Sequence, residues 1–219
     1  MRLFVALWPP DGIRSHLESA MERLRPRIPR GPVRFVPPDQ WHVTLRFLGE
    51  VASTPPVLGR LDDALREATT GVPGFALRLD GFGCFPSTQR PRVLWAGLSG
   101  EIADLARLQA RVARAAEAFN SARDEHPFHP HLTLARVRDA CRPDAEAIRR
   151  ALERTELPRS EPWRTTEIRL MESQLGPDGA QYRVRSVFPL AEGEARTDPP
   201  VPDGRNTPPS AAAFPESPS

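Results

Sequence analysis

His42-Val43-Thr44-Leu45 and His131-Leu132-Thr133-Leu134 are two copies of one tetrad, 89 positions apart and each set in an apolar run. Side chains at positions i and i+2 of an extended strand point to the same face. As a strand, each tetrad presents an imidazole and a hydroxyl on one face and two apolar side chains on the other. Two such strands side by side would bring both histidines and both threonines into one cleft.

The spacing of the elements around the tetrads predicts an internal repeat. A strand pattern begins at Leu3, 39 positions before His42, and another begins at Val93, 38 positions before the second histidine. After each tetrad comes a further strand pattern, centred on Leu79 and Leu170, 37 and 39 positions beyond the respective histidine. Amphipathic helical patterns fill the intervals. Near-equal spacing of equivalent elements indicates a duplicated unit.

The repeat predicts an α+β fold for residues 1–190, with halves of about 1–90 and 91–190. We expect two lobes related by a pseudo-twofold axis, each an antiparallel sheet with helices outside, flanking a central cleft. Residues 191–219 are rich in Pro, Gly, Ala, Ser and charge. Such a composition buries too little apolar surface to offset the entropy of ordering, so we expect a disordered Pro-rich tail.

Composition limits the class of protein. The 219 residues carry a net charge of only +2, which does not by itself indicate a nucleic-acid binder. Every basic residue is arginine, a pattern typical of GC-rich coding, although arginines near a site would suit phosphate through their forked donors. The N-terminal apolar run is too short for a signal peptide, and no run approaches a membrane helix. We expect a cytoplasmic protein.

The tetrad side chains are suited to acid–base chemistry on an oxyanion. An imidazole with an ordinary pKa of about 6.5 gives or takes a proton near neutrality. In a pair, one imidazole can deprotonate water while the other protonates a leaving oxygen. The hydroxyls of Thr44 and Thr133 can donate to phosphoryl oxygens. One such motif alone is more often structural; its recurrence at an equivalent position favours a functional pair.

The tetrads and their flanks resemble the 2H phosphoesterase superfamily. Within it, the chain is similar to the bacterial and archaeal RNA 2′,3′-cyclic phosphodiesterases, also called 2′-5′ RNA ligases. The resemblance covers about residues 1–190, and the Pro-rich tail lies outside it. The stretches that carry the resemblance are residues 2–6, 41–50, 92–97, 128–136 and 172–190.

The resemblance implies a reaction and a role for each histidine. The reaction is hydrolysis of an RNA or nucleoside 2′,3′-cyclic phosphate to a 2′-phosphate without metal or cofactor. His42 would be the proton donor to the departing 3′ oxygen, and His131 the proton acceptor that activates water. Thr44 and Thr133 would hold the phosphoryl oxygens. The sequence alone does not orient the pair, so this division of roles rests wholly on the resemblance.

The resemblance also implies partners. These are RNA or nucleotides that end in a 2′,3′-cyclic phosphate, tRNA fragments among them, and the same site would reversibly join such an end to a 5′-hydroxyl as a 2′-5′ RNA ligase does. We expect a monomer.

Two arginines and two aromatic residues are further candidates. Arg46 has the parity of His42, so strand alternation predicts it on the site face. Arg136 has the wrong parity, yet the family pattern puts a phosphate-contacting arginine there, and a bulge or strand end near Ala135 would reconcile the two. For either arginine the competing interpretation is a solvated charge at a strand end. Phe128 is a candidate for stacking on a base, as is Trp41, although aromatic residues beside strands are more often core.

Three alternatives compete with this hypothesis. His126, His129 and His131 form a local cluster that could chelate a metal, but that leaves His42 unexplained. A nucleotide- or RNA-binding module could keep the fold without turnover. The run 81–83, Gly-Phe-Gly, lacks the third glycine and the helix of a dinucleotide site, which favours a turn.

Overall fold

The computed structural model describes residues 1–119, 127–176 and 179–192. The predicted disordered tail lies, apart from residues 191 and 192, outside the described residues. The described residues form nine strands and four α-helices. The strands are β1 (Arg2–Leu7), β2 (Val33–Phe35), β3 (Val43–Glu50), β4 (Phe75–Ser87), β5 (Arg90–Gly100), β6 (His131–Val137), β7 (Trp163–Thr165), β8 (Glu167–Gly176) and β9 (Gly179–Pro189); the helices are α1 (Asp11–Leu24), α2 (Pro55–Thr69), α3 (Ile102–Ala116) and α4 (Arg142–Arg154).

All nine strands belong to one curled antiparallel sheet. Its order is β7-β4-β5-β6-β3-β1-β8-β9, with β2 added beside β6. β3 and β6, which carry the two tetrads, are neighbours at its centre. The prediction of an α+β fold built on an antiparallel sheet is confirmed.

The strands are divided between the halves of the chain differently from the prediction. β4, from the first half, pairs with β5 of the second half, and β8, from the second half, pairs with β1 of the first. The central order β4-β5-β6-β3-β1-β8 therefore reads the same when the two repeats are exchanged. Spacing along the chain detects equivalent strands, but it carries no information about which strand pairs with which.

The main core lies between the helices and one face of the sheet, and all four helices contribute to it. In α3, buried side chains recur every three or four positions at Leu105, Leu108 and Val112, which gives this helix one apolar stripe. Among the described residues, no helix has both the length and the apolarity needed to cross a membrane.

The opposite face of the sheet carries a second, smaller cluster. Phe4 and Ala6 of β1 and Met171 of β8 are buried there, and Trp8 and Tyr182 pack against them. No described helical residue belongs to this smaller cluster. The tetrad histidines point to this face of the sheet.

Gly83 of β4 lies under the indole of Trp95. A Cβ at this position would stand 2.2 Å from a ring carbon of that indole, inside the contact distance of any side chain. We expect Gly83→Ala to lower the free energy of unfolding by about 1–3 kcal/mol, as overpacking does in cores. The matched control is Gly59→Ala inside α2, where a Cβ meets nothing within 4 Å. That control should gain about 0.5–1 kcal/mol. Urea unfolding of both variants measures the difference, and equal effects would contradict the packing argument.

Candidate active site

The two tetrads meet where β3 and β6 touch. The strands pair antiparallel at Val43 and Leu132, whose side chains are buried in the main core. Alternation turns the flanking residues to the other face. In this register His42 lies across from Thr133, and Thr44 lies across from His131. The structure therefore brings together the four residues that the repeated motif singled out.

Both histidine rings are held in the same way. Nδ1 of His42 lies 2.6 Å from the carbonyl oxygen of Gln40, and Nδ1 of His131 lies 2.7 Å from the carbonyl oxygen of His129. A carbonyl oxygen only accepts, so in the neutral tautomer each Nδ1 carries the proton and donates it. Nε2 of each ring is left to exchange protons with a ligand.

His42 lies in an aromatic box. Its ring stacks on Trp8 at 4.8 Å between centroids, lies 5.0 Å from Phe4, and meets Tyr182 edge-on at 5.3 Å. Burial among these rings lowers the pKa of His42 from its ordinary 6.5 to about 4. The bond to Gln40 opposes this pKa shift, while the positive charges of His131 and Arg136 add to it. In the ligand-free protein His42 is neutral at pH 7.

His131 has a different set of neighbours. Phe85 meets it edge-on at 5.0 Å, and the rings of Trp95 and His129 both lie 6.4 Å away. Burial is the main cause that lowers the pKa of His131 below 6.5, and the nearby His129 and Arg136 charges lower it further. Burial also lowers the pKa of His129.

A β-bulge brings Arg136 to the histidine face. Thr133 pairs with Trp95, but the next pair joins Ala135 to Leu94, so Leu134 is an extra residue in β6. Leu134 and Ala135 are both buried in the main core, and the next side chain returns to the opposite face. Of the two irregularities expected near Ala135, a bulge or a strand end, the structure has the bulge. Arg136 is close enough to lower the pKa of both His42 and His131.

A second β-bulge, in β3, turns Arg46 away from that face. Thr44 pairs with Ala6, whereas Arg46 pairs with Val5, so Leu45 is the extra residue. Val5 points into the main core, and Phe47, one residue further, lies 6.0 Å from Phe4 of the smaller cluster. The expectation that alternation places Arg46 on the site face is wrong because of this bulge. Phe47 takes the position that corresponds to Arg136, five residues after its histidine.

The aromatic candidates from the sequence lie in or against the main core. Trp41 is fully buried there and donates from Nε1 to the carbonyl oxygen of Val36, so it cannot stack on a base. Phe128 packs against the same core, which gives no support to the predicted base contact. The aromatic residues that do surround the histidines come from β1, from the residue after it, and from β4, β5 and β9. They were missed because only strand register reveals their proximity. They are Phe4, Trp8, Phe85, Trp95 and Tyr182.

The proposed metal cluster finds no counterpart in the described part of the chain. No group of three or more His, Cys, Asp and Glu side chains is arranged there to hold a metal ion. His126, one member of that cluster, lies outside the described residues. The ring of His129 instead packs edge-on against Phe85 and Trp95.

Two imidazoles, two hydroxyls and one guanidinium on one sheet face define a paired-histidine centre suited to acid–base chemistry on a phosphate. A model of the 2′-5′ RNA ligase superfamily matches residues 9–177. An RNA 2′,3′-cyclic phosphodiesterase of Archaeoglobus fulgidus is 33% identical over 191 residues, 86% of this chain and 99% of its own. One from Thermus thermophilus is 34% identical over 198 residues, 87% of this chain and 90% of its own.

Solved structures agree with these matches. The crystal structure of a Thermus thermophilus protein has a TM-score of 0.68 at 28% identity, covering 88% of this chain and 99% of its own. Escherichia coli LigT complexed with 3′-AMP has a TM-score of 0.64 at 28% identity, covering 87% of this chain and 98% of its own. This chain belongs to the 2′-5′ RNA ligase superfamily, which confirms the family that the two tetrads predicted.

The buried histidines make stability depend on pH. The unfolded chain takes up a proton at each histidine near pH 6.5, whereas folded His42 remains neutral down to about pH 4. Stability is therefore complete above pH 6.5 and is lost as the pH falls towards 4, with a slope for His42 approaching about 1.4 kcal/mol per pH unit. Urea unfolding at pH 7.5, 6 and 5 should show this slope, and His42→Asn should reduce it. An unchanged slope in that variant would contradict the assignment.

Proposed function

We propose that this protein hydrolyses RNA or nucleoside 2′,3′-cyclic phosphates to 2′-phosphates by a metal-free two-histidine mechanism. One observation carries the proposal. The imidazoles of His42 and His131 are both held by a hydrogen bond from Nδ1 to a backbone carbonyl oxygen, and Arg136 lies close to both. Relatives of this chain that match it over most of its length are RNA 2′,3′-cyclic phosphodiesterases, which supports the same substrate class.

The site offers a complete set of phosphate contacts. The planar guanidinium of Arg136 can donate two parallel hydrogen bonds to the non-bridging oxygens, which a compact ammonium cannot do. The hydroxyls of Thr44 and Thr133 lie on the same face and can donate to the charge that develops on those oxygens in the transition state. Binding and charge stabilisation therefore need no further cation.

Hydrolysis then needs two proton transfers, one from water to His131 and one from His42 to the leaving oxygen. Nε2 of His131 removes a proton from water, whose oxygen forms a bond to phosphorus while the bond from phosphorus to the 3′ oxygen breaks. His42, in its protonated form, gives its Nε2 proton to that 3′ oxygen. The product carries a 2′-phosphate and a 3′-hydroxyl, and proton exchange with solvent restores both rings. General acid and base groups each contribute about 10²–10⁴-fold to such a rate.

The low pKa of His42 makes its protonation depend on the substrate. The free imidazole is neutral at pH 7, but a bound phosphodiester places a negative charge beside it in the same water-poor surroundings. An opposite charge at close range favours the protonated form, so substrate binding recruits the proton that His42 later donates. The same anion would raise the pKa of His131 less if water lies between them.

The competing proposal is a nucleotide-binding module without turnover, and incubation of the protein with adenosine 2′,3′-cyclic phosphate in EDTA distinguishes the two. We expect adenosine 2′-monophosphate as the product, with kcat falling about 10²–10⁴-fold in His42→Ala and in His131→Ala. Chromatography against both phosphate isomers identifies the product. Activity that persists in His42→Ala would contradict the two-histidine mechanism. Loss of activity in EDTA would indicate a metal-dependent reaction. Binding of the nucleotide without turnover would indicate the non-catalytic binding module.

The two bulges predict different roles for two arginines. Because only Arg136 is returned to the histidine face, we expect Arg136→Lys to lower kcat/KM for the cyclic phosphate about 10–100-fold through loss of the bidentate contact. The matched variant Arg46→Lys should change kcat/KM less than about threefold. Steady-state kinetics on both variants, with their unfolding midpoints as a check on folding, provide the comparison. A larger loss in the Arg46 variant would contradict the register argument.

The remaining parts of the proposal follow from the same site. With a 5′-hydroxyl in place of water, the same two proton transfers would form a 2′-5′ linkage: His131 would remove the hydroxyl proton and His42 would protonate the departing 3′ oxygen, so we propose that the ligase reaction shares both histidines. RNA ends bearing the cyclic phosphate, tRNA fragments included, are the proposed partners. We further propose that the protein acts as a monomer in the cytoplasm.

A further inference from the structure

An apolar row crosses four strands on the histidine face. Phe47 of β3 pairs with Phe4 of β1, Phe4 pairs with Met171 of β8, and Met171 pairs with Val184 of β9. Directly paired residues point to the same face, so these four side chains form a continuous row, here called the apolar strip. It passes directly beside the catalytic centre, because the rings of Phe4 and His42 lie 5.0 Å apart.

The apolar strip is long and open at both ends. Three interstrand steps of about 4.8 Å give it a length of roughly 14 Å. Its middle residues are buried, but Phe47 is 57% exposed and Val184 is 46% exposed, so both ends of the strip face solvent. Exposed apolar surface beside a polar site can contact the apolar groups of a ligand.

The equivalent row in the opposite half begins with a charged residue instead of an aromatic one. The position equivalent to Phe47, five residues after the histidine, is occupied by Arg136, which pairs with Val93 and with Arg34. Both histidines have aromatic neighbours, so the halves differ at this one position: the His131 half presents a guanidinium there, and the His42 half presents a phenyl ring. This difference favours a phosphate beside Arg136 and an apolar base beside Phe47.

Cations flank the apolar strip on both sides. Ala6, next to Phe4 on the same face of β1, pairs with Arg169, whose guanidinium lies 5.8 Å from the centre of the Trp8 ring. On the other side lies Arg2, whose charge acts to lower the pKa of Tyr182, although burial is the larger effect and raises it. Guanidinium groups on either side of a stacking surface are complementary to a nucleotide chain, with its bases inward and phosphates outward.

We propose that the exposed ends of the apolar strip bind nucleobases at the 3′ end of the substrate RNA, with the terminal base on Phe47 and the preceding base towards Val184. This inference rests on the proposed function, in which His42 protonates the 3′ oxygen and the terminal ribose therefore lies on the His42 side. It gives a structural reason for the unequal roles of two equivalent histidines: the base-binding half holds the proton donor.

The decisive test compares substrates with and without a base. In Phe47→Ala, KM for adenosine 2′,3′-cyclic phosphate should rise about tenfold, the effect of losing one stacking contact. KM for ribose 2′,3′-cyclic phosphate, which has no base, should stay unchanged. Phe47→Trp should keep the KM of the unaltered protein for the adenosine substrate. Equal effects of Phe47→Ala on both substrates, or no effect on either, would overturn the proposal.

A second variant tests the far end of the apolar strip. Val184→Ser should leave the KM for the mononucleotide unchanged and raise the KM for a dinucleotide ending in a 2′,3′-cyclic phosphate about threefold. The control is Leu175→Ala, which removes another apolar side chain, 72% exposed, that is not in the row. It should change neither KM. A dinucleotide effect in the Leu175 variant but not in the Val184 variant would contradict the assigned direction of the chain.

Failure of the proposed function is distinguishable from failure of this inference. If the unaltered protein turns over neither cyclic phosphate, the reaction is wrong, and equilibrium dialysis with adenosine 2′-monophosphate then tests the surface alone. Binding that weakens about tenfold in Phe47→Ala, with unchanged binding of ribose 5-phosphate, supports a base-binding surface. Equal binding of adenosine 2′-monophosphate by both proteins overturns it.

Discussion

The site depends on one short contact between two strands that then diverge. β3 and β6 pair at Val43 and Leu132, and each strand bulges at the leucine that ends its tetrad. The contact holds four polar side chains on one face, while the bulges turn the following residues over. Because a register shift of one position moves every side chain to the other face, these two bulges decide which residues lie on the face of the histidines.

Burial of the two imidazoles has a cost that the surrounding structure offsets. Taking a histidine out of water favours its neutral form, and the rings around His42 do so strongly enough to bring its pKa to about 4. The carbonyl oxygens of Gln40 and His129 satisfy Nδ1 of each ring, so no buried donor is left unpaired there. Nε2 of each ring is then the atom that can gain or lose a proton, and a bound anion would favour its protonated form.

The sequence predicted which residues meet at the contact between β3 and β6 more fully than which side chains surround them. Repetition of the tetrad was enough to place His42, Thr44, His131 and Thr133 on one face, since alternation is reliable over three residues. Alternation failed for Arg46, two residues after Thr44, because a bulge leaves no periodic signal in a short strand. Phe4 and Tyr182 could not be found either: their approach to His42 depends on pairing between distant strands. The exchange of β4 and β8 between the halves was hidden for the same reason.

That exchange has a consequence for how the molecule folds. Arg2 pairs with Ser173, and the first half of the chain supplies a strand that only the second half can cover. Each repeat contains a strand whose pairing partner lies in the other repeat. A repeat folded alone would therefore leave the edges of its strands unpaired, which makes a stable one-repeat intermediate unfavourable. The pairings of large sequence separation must form together, which makes folding slow and cooperative. The contact between β3 and β6 is flanked by strands from both halves, so the surroundings of the two histidines are structurally linked.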